Sequence, residues 1–215
     1  MPHHVSPTAA WSELRDGNNR FIAGEMLHPS QGFDRREQIK VAQNPFALVF
    51  GCSDSRVAAE IIFDQGLGDV FVVRTAGHVV DTTVVGSIEY GVDILDTRLI
   101  VVLGHDNCGA IGAAVHALTT GEQPNGFIRA VTDRVIPSIV SLTSAEGGFV
   151  SPNTDVLRRE HVRHTMSMLH SYSAAIAKAV TEGRCAIVGV EYDLEDGHAR
   201  LIDVIGDIGD VPFDV

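Results

Sequence analysis

The chain has 215 residues, of which 45% are apolar and 20% charged, a balance typical of a globular protein and too apolar for a disordered one. This length suffices for one α/β domain with a substantial core and is short for two, so we predict a single domain over residues 1–215. The formal net charge of -12 repels phosphate backbones and anionic bilayers, which argues against nucleic-acid and membrane partners.

The cysteine count and the first residues indicate a cellular compartment. Three cysteines do not form a disulfide framework in a chain of this size, and an odd number favours a reducing environment. The N-terminal residues lack the basic start and apolar stretch of a secretory signal, and no segment approaches the roughly 20 apolar residues of a membrane span. We therefore expect a cytoplasmic protein.

The first predicted helix begins after Ser6, which can cap it, with Pro7 at the first helical position, and it ends near Gly24. Apolar side chains repeat at helical spacing along one face of this segment. The polar stretch that follows carries a turn signal and a short predicted helix over 35–42. We interpret residues 1–44 as an N-terminal helical arm.

From residue 46 onward, short apolar runs alternate with helical segments. The runs lie at 46–51, 69–74, 98–104 and 185–192, and the clearest helical segments lie at 82–95 and 153–182. Apolar runs of this length bounded by Gly or Asp are typical of a mainly parallel sheet covered on both faces. A turn signal at 195–197 allows 198–204 to return as an antiparallel edge strand. The predicted fold is α/β: four parallel strands and an antiparallel edge strand, flanked by helices.

Two polar clusters directly follow two of these strands. CSDSR occupies 52–56 after the first strand, and HDNCG occupies 105–109 after the third. Because open α/β sheets place their sites at the carboxyl ends of the strands, both clusters should lie at one edge. Cys52, His105 and Cys108 then offer three ligands, the number for a catalytic zinc ion with an open fourth position. A redox pair or two inert thiols remain alternative interpretations of the cysteines.

Asp54 and Arg56 allow two interpretations. The carboxylate of Asp54 could occupy the fourth metal position, or a bidentate pair with Arg56 could hold it away, in which case the pair acts as a gate. An ordinary loop salt bridge is the alternative.

Three residues are interpreted as structural. Cys185 lies in an apolar strand, where a thiol is usually a small buried hydrophobic group. His161 and His164 lie three residues apart on a predicted helix with no third ligand in view, and we interpret them as solvated surface residues.

The two polar clusters resemble the signature motifs of the β-class carbonic anhydrases. CSDSR at 52–56 and HDNCG at 105–109 match these motifs in order and separation. FDQGLGDVFVVRTAG at 63–77 and GSIEYGV at 86–92 resemble the same family, so the similarity covers roughly residues 8–210.

The resemblance implies one Zn²⁺ per chain, bound by Cys52, His105 and Cys108, and a catalytic pair formed by Asp54 and Arg56. It implies reversible hydration of CO2 to bicarbonate and a proton by attack of zinc-bound hydroxide. It also allows a closed state at low pH in which Asp54 is the fourth ligand. Two thiolates donate more negative charge to zinc than imidazoles do, so we expect activity to rise towards alkaline pH.

The resemblance further implies that Gln43, Phe71, Tyr90 and Gly109 shape the substrate pocket. The first three would come from the neighbouring subunit of a homodimer, which could pair again into a dimer of dimers. The arm over residues 1–44 would pack on that partner subunit. The active site would then be a feature of the interface.

The resemblance also raises the question of a regulatory bicarbonate site, and two other functions remain alternatives. Some bacterial members bind bicarbonate at a regulatory site with a tryptophan three residues before the first cysteine, where this chain has Val49, and Arg74 matches part of that site. A hydrolase of CS2 or another CO2 analogue could use the same ligands. A non-catalytic bicarbonate sensor could keep the fold, but it would be expected to lose Asp54, Arg56 or a ligand, and all are present.

Overall fold

A computed structural model of the chain describes residues 5–140, 142 and 153–210. The strands are β1 Ala47–Cys52, β2 Val70–Thr75, β3 Leu99–His105, β4 Ala186–Tyr192 and β5 Ala199–Ile205. The helices are α1 Pro7–Ala23, α2 Phe33–Ile39, α3 Ala59–Ile62, α4 Thr82–Glu89, α5 Gly109–Thr120, α6 Ile128–Val140, α7 Thr154–Tyr172 and α8 Ala174–Thr181. Within these described ranges, no helix is both long and apolar enough to cross a bilayer.

The sheet has the strand order β2-β1-β3-β4-β5, with the first four strands parallel and β5 antiparallel to β4. This confirms the predicted α/β fold and its antiparallel edge strand. β1, β3 and β4 are buried along their whole length, whereas β2 and β5 are partly exposed edges. Because β1 and β3 are adjacent and parallel, the loops that follow them leave the sheet at the same edge.

Alternate side chains of the central strands point to opposite faces and build two cores. One core joins Val49, Val101 and Val188 to Trp11 and Leu14 of α1 and to Ile62 of α3. The other joins Leu48, Phe50, Ile100, Val102 and Ile187 to Ile88 of α4, Met166 of α7 and Ile176 of α8. A third, smaller cluster at the carboxyl ends of the strands contains Cys52 and Cys108 together with apolar residues of α5, α6 and α7.

α7 lies against β3 and β4 at two glycines. A Cβ atom at Gly104 would lie 2.6 Å from Val162, and one at Gly189 would lie 2.6 Å from the Met166 sulfur. Only the missing side chains allow the helix to approach the sheet this closely. α7 is thereby placed beside the strand ends that carry the polar clusters.

Several helices differ in detail from the prediction. The short helix expected at 35–42 spans Phe33–Ile39, and the helix at 82–95 is α4 continued by one wider turn, Tyr90–Ile94. The single helix expected at 153–182 is interrupted at Ser173, whose backbone is extended. The Ser173 hydroxyl accepts from the Ile176 N–H and donates to the Glu89 carboxylate, so it starts α8 as a new helix.

The first helix of the arm packs on its own chain. As predicted, Ser6 caps α1 and the helix ends at Gly24, which adopts the left-handed conformation. The buried Asn18 side chain donates to the carbonyls of Ile62 and Gly197 and accepts from the Ala199 N–H. Packing of residues 1–44 on a partner subunit stays a prediction.

Candidate metal centre

The structure brings Cys52, His105 and Cys108 together at the carboxyl edge of the sheet. One ligand atom from each lies within 4.8 Å of the others, and all three residues are buried. Cys52 ends β1, His105 ends the neighbouring β3, and Cys108 follows in the same loop. We call these three residues the Cys–His cluster.

The two sulfur atoms lie close together. The interaction between the two side chains lowers the pKa of Cys52 and raises the pKa of Cys108, so Cys52 is the thiol that ionises first. The Gly77 N–H also donates to the Cys52 sulfur, at 3.3 Å. Cys108 directly precedes α5, at the helix N-terminus where the helix dipole favours negative charge. The ionised Cys52 sulfur is thus a suitable ligand for a divalent cation.

The histidine is oriented as a ligand. His105 Nδ1 lies 2.7 Å from the Asp106 carbonyl oxygen, which can only accept, so Nδ1 carries the proton. In the described part of the chain, His105 Nε2 is buried and has no hydrogen-bond partner. An imidazole held through one nitrogen with its other lone pair free is the usual arrangement of a metal ligand. Together with two cysteine sulfurs, this donor set fits zinc.

Asp54 is paired with Arg56. Arg56 Nε and Nη2 donate to the two carboxylate oxygens of Asp54 at 2.9 and 2.8 Å, and the Arg56 backbone N–H donates to the first of them. These bonds hold the pKa of Asp54 well below its usual range. Arg56 Nη2 also lies 3.4 Å from the Asn107 carbonyl and so contacts the loop of the other motif. The Asp54 oxygens are not part of the Cys–His cluster, so a metal held by the cluster would have three protein ligands.

Arg74 holds the first motif in place, a role that the sequence analysis missed. Its Nε donates to the Cys52 carbonyl at 2.8 Å, and its Nη2 donates to the Asp54 carbonyl at 2.6 Å. Arg74 lies one residue before Thr75, which pairs with Cys52 in the sheet. The position of an arginine near the end of a neighbouring parallel strand was the available signal, but it requires the register of β1 and β2.

The predicted pocket residues fall into two places. Gly109 begins α5 beside Cys108, and a Cβ atom there would meet nothing within 4 Å. Gln43, Phe71 and Tyr90 lie instead on the flank of the edge strand β2, and we call these three the β2 patch. Gln43 and Tyr90 line one open depression of about 550 Å³, and the rings of Phe71 and Tyr90 are 6.3 Å apart.

The β2 patch is distant from the Cys–His cluster of the same chain. Phe71 pairs with Leu48, four residues along the strand from the pair that Thr75 makes with Cys52. At about 3.3 Å per residue this is a separation of roughly 13 Å along the sheet. One chain therefore does not bring the two groups into a single pocket.

The interpretation of His161 as a solvated surface residue was wrong. His161 is 2% exposed, because α6 and the turn after β2 cover this face of α7. His164 is half-buried. Cys185 is 1% exposed, and burial raises the pKa of its thiol to about 12, in agreement with a structural role.

Comparison with known proteins connects these residues to a family. A family model described as "Carbonic anhydrase" matches residues 47–199, which contain both polar motifs. The chain is 54% identical to a carbonic anhydrase of Mycolicibacterium smegmatis over 211 residues, covering 98% of this chain and all of the relative. It is 52% identical to carbonic anhydrase 2 of Mycobacterium tuberculosis, covering 98% of this chain and 99% of the relative.

Solved structures share the fold at lower identity. A β-carbonic anhydrase from Coccomyxa superimposes with a TM-score of 0.69 at 23% identity, covering 91% of this chain and 86% of its own. The β-carbonic anhydrase CcaA superimposes with a TM-score of 0.67 at 24% identity, covering 90% of this chain and 87% of its own. These similarities show the arrangement of sheet and helices.

Proposed function

Because this chain belongs to the β class of the carbonic anhydrases, we propose that it interconverts CO2 and bicarbonate at a zinc ion bound by Cys52, His105 and Cys108. The observation that carries the proposal is the Cys–His cluster itself. It combines two cysteine sulfurs with an imidazole nitrogen that is buried without a hydrogen-bond partner. Such a donor set leaves one position open for chemistry.

When bound, zinc in an open site would lower the pKa of a coordinated water and so supply the nucleophile. Asp54 would accept a hydrogen bond from this nucleophile and so orient it towards the carbon of CO2. Arg56 keeps Asp54 ionised and away from the metal through its two side-chain hydrogen bonds. Closure by Asp54 at low pH stays a prediction.

The β2 patch of a second chain supplies the substrate pocket in this proposal. Phe71 and Tyr90 provide an apolar wall that excludes water around CO2, and the Gln43 amide donates to the oxygen that gains negative charge. Its support is the separation of the patch from the Cys–His cluster within one chain, together with the exposure of Gln43 and of 47% of Tyr90. The active form is then a homodimer, with a dimer of dimers and a cytoplasmic location as further predictions.

Stopped-flow CO2 hydration from about pH 6.5 to about pH 9 tests the proposal, with zinc content measured on the same samples. The wild type is compared with a chelator-stripped sample, the same sample after zinc is restored, and Asp54→Ala. We expect zinc-dependent turnover that rises with pH, is lost on stripping, returns with zinc, and falls strongly in Asp54→Ala.

Two results would contradict the proposal. Turnover that survives complete removal of zinc would remove the metal from the reaction. About one zinc per chain with no CO2 turnover at any pH would keep the metal site but favour a CS2 hydrolase or a bicarbonate sensor, which hydrolysis of CS2 would then distinguish.

A further inference from the structure

The turn Ala76–His78, directly after β2, contacts the Cys–His cluster and supports it. Gly77 in this turn has φ +64° and donates its N–H to the Cys52 sulfur. A Cβ atom at Gly77 would lie 2.6 Å from the Cβ of Ala110, in the first turn of α5. Gly77 therefore lies in close contact with both the end of β1 and the first turn of α5.

The turn is strained and needs support. Gly77 and His78 have successive positive φ angles, of 64° and 40°, and the second belongs to a residue with a full side chain. Such a conformation persists only when its surroundings hold it. The Thr75 hydroxyl closes the turn by donating to the Val79 carbonyl at 2.9 Å, but this bond does not reach Gly77.

His161 of α7 holds Gly77 directly. His161 Nε2 lies 2.8 Å from the Gly77 carbonyl oxygen, and Nδ1 lies 2.9 Å from the Ser138 hydroxyl on α6. A carbonyl oxygen can only accept, so Nε2 carries the proton and donates. Burial lowers the pKa of His161 to about 4, so the ring is neutral and Nδ1 can only accept. The single proton of the Ser138 hydroxyl lies within reach of both Nδ1 and the Val135 carbonyl oxygen, which is 2.6 Å away. The Gly77 carbonyl oxygen thus selects the tautomer, and Ser138 contacts the opposite edge of the ring.

His78 fixes the plane of the His161 ring. The centroids of the two rings are 4.4 Å apart, and His78 is 1% exposed. In the described residues both nitrogens of His78 are buried without a hydrogen-bond partner. The two rings are tilted by 39° to each other, and His78 contributes packing against His161.

We propose that His161, oriented by Ser138, is a positioning residue that holds Gly77 so that its N–H donates to the Cys52 thiolate. This inference rests on the proposed function, because it assigns a role towards a zinc ligand. A hydrogen bond to a thiolate withdraws negative charge from the sulfur, so the metal it binds becomes a stronger Lewis acid. Loss of the bond alters both the affinity for zinc and the electronic state of the bound sulfur.

The test compares four variants with the wild type. His161→Leu removes the donor, and His161→Gln keeps an N–H donor at about the distance of Nε2. Ser138→Ala removes the hydroxyl in contact with Nδ1, and His164→Leu is the matched control on the same helix. Each protein is titrated with zinc against a competing chelator. Each is also loaded with Co²⁺, and the thiolate-to-cobalt charge-transfer absorption is recorded.

We expect His161→Leu to bind zinc about 10- to 100-fold more weakly, because Cys52 loses a donor that favours its ionised form and fixes its position. The charge-transfer band should shift as well. His161→Gln should recover most of the affinity and the band position, and His164→Leu should match the wild type. A purely structural role for His161 would change thermal stability and leave the band of the folded, cobalt-loaded protein in place.

The inference is overturned if folded His161→Leu keeps the wild-type affinity and band. If His161→Leu does not fold, Ser138→Ala decides: an affinity loss of about threefold or more with a shifted band supports the inference, and unchanged values overturn it. A wild type that binds no zinc would instead remove the proposed function, so the two failures are distinguishable.

Discussion

The Cys–His cluster and the β2 patch differ in how much of their surroundings one chain supplies. Cys52, His105 and Cys108 are 6%, 1% and 7% exposed, and backbone and side-chain groups of the same chain hold them. The β2 patch has an exposed amide and a tyrosine ring that is 47% exposed, at the rim of an open depression. One region is complete within the monomer, and the other has a surface that a second chain can cover.

The sheet explains this difference. β1 and β3 are central strands, so the loops that follow them are enclosed by neighbouring strands and by α5, α6 and α7. β2 is an edge strand with unpaired backbone groups on one side, and its side chains are only partly buried. Exposed edges are regularly protected by further pairing or coverage. Predictions for the cluster therefore concern one chain, and predictions for the patch concern two.

The largest expected effect comes from removing a ligand. Cys108→Ala should lose stable zinc binding and CO2 hydration together, because two donors no longer close the site. Metal analysis after dialysis and stopped-flow hydration measure this change. Cys185→Ala, at the other free buried cysteine, should keep both. Full zinc content in Cys108→Ala would show that the cluster is not the metal site.

Removing Arg56, the partner of Asp54, should reduce CO2 hydration less than removing a ligand does. In Arg56→Ala we expect hydration to fall about 100-fold while zinc content stays unchanged, because Asp54 loses its orientation. The pKa of Asp54, which Arg56 lowers, should rise towards its ordinary value, so activity should be lost at a higher pH on acidification. Arg184→Ala breaks an exposed pair with Glu182 and is the control. Equal hydration rates in both variants would assign Arg56 to an ordinary salt bridge.

The β2 patch should influence turnover without influencing the metal. Gln43→Ala is expected to lower kcat/KM for CO2 about 10- to 100-fold at full zinc content, because the developing negative charge loses a donor. Gln123→Ala, at an exposed glutamine outside the patch, should behave as the wild type. A normal kcat/KM in Gln43→Ala would separate the patch from the active site.

The smallest expected effect is on how the free energy of unfolding depends on pH, through the two buried histidines beside the cluster. Burial holds the pKa of His78 well below its ordinary value and lowers the pKa of His161 to about 4, while both protonate near pH 6.5 in the unfolded chain. The unfolded state thus binds more protons below pH 6.5. As the pH is lowered, the free energy of unfolding therefore decreases, by up to about 1.4 kcal/mol per pH unit for each histidine. Urea unfolding of His161→Gln should show a shallower fall than His164→Gln. Equal slopes would contradict the buried neutral state of His161.

The strands and the Cys–His cluster could be predicted because their signals are local. Apolar runs give the strands, and ligand-type residues that directly follow two runs converge whenever those strands are parallel neighbours. The proximity of Cys52 and His105 could therefore be predicted without knowing how the helices pack. The interruption at Ser173 was missed because helical spacing continues through it, and only its capping bond and its contact with Glu89 separate the two helices.

The supporting residues could not be predicted because they depend on register and on packing between distant segments. Arg74 and Gly77 reach the first motif only because Thr75 pairs with Cys52. His161 has the sequence surroundings of a solvated helical residue, yet α6 covers it and Gly77 lies 84 positions away in the chain. No spacing rule joins such residues.

Mixing two inactive variants tests most directly whether the active site is divided between chains. Cys108→Ala lacks a ligand but keeps the β2 patch, whereas a Gln43→Ala and Tyr90→Ala double variant keeps the cluster. In a randomly mixed homodimer, half of the molecules carry both variants and each has one intact site, so about a quarter of the wild-type hydration rate should return. A rate equal to the average of the two separate variants, under conditions where subunit exchange is demonstrated, would contradict a site shared between chains.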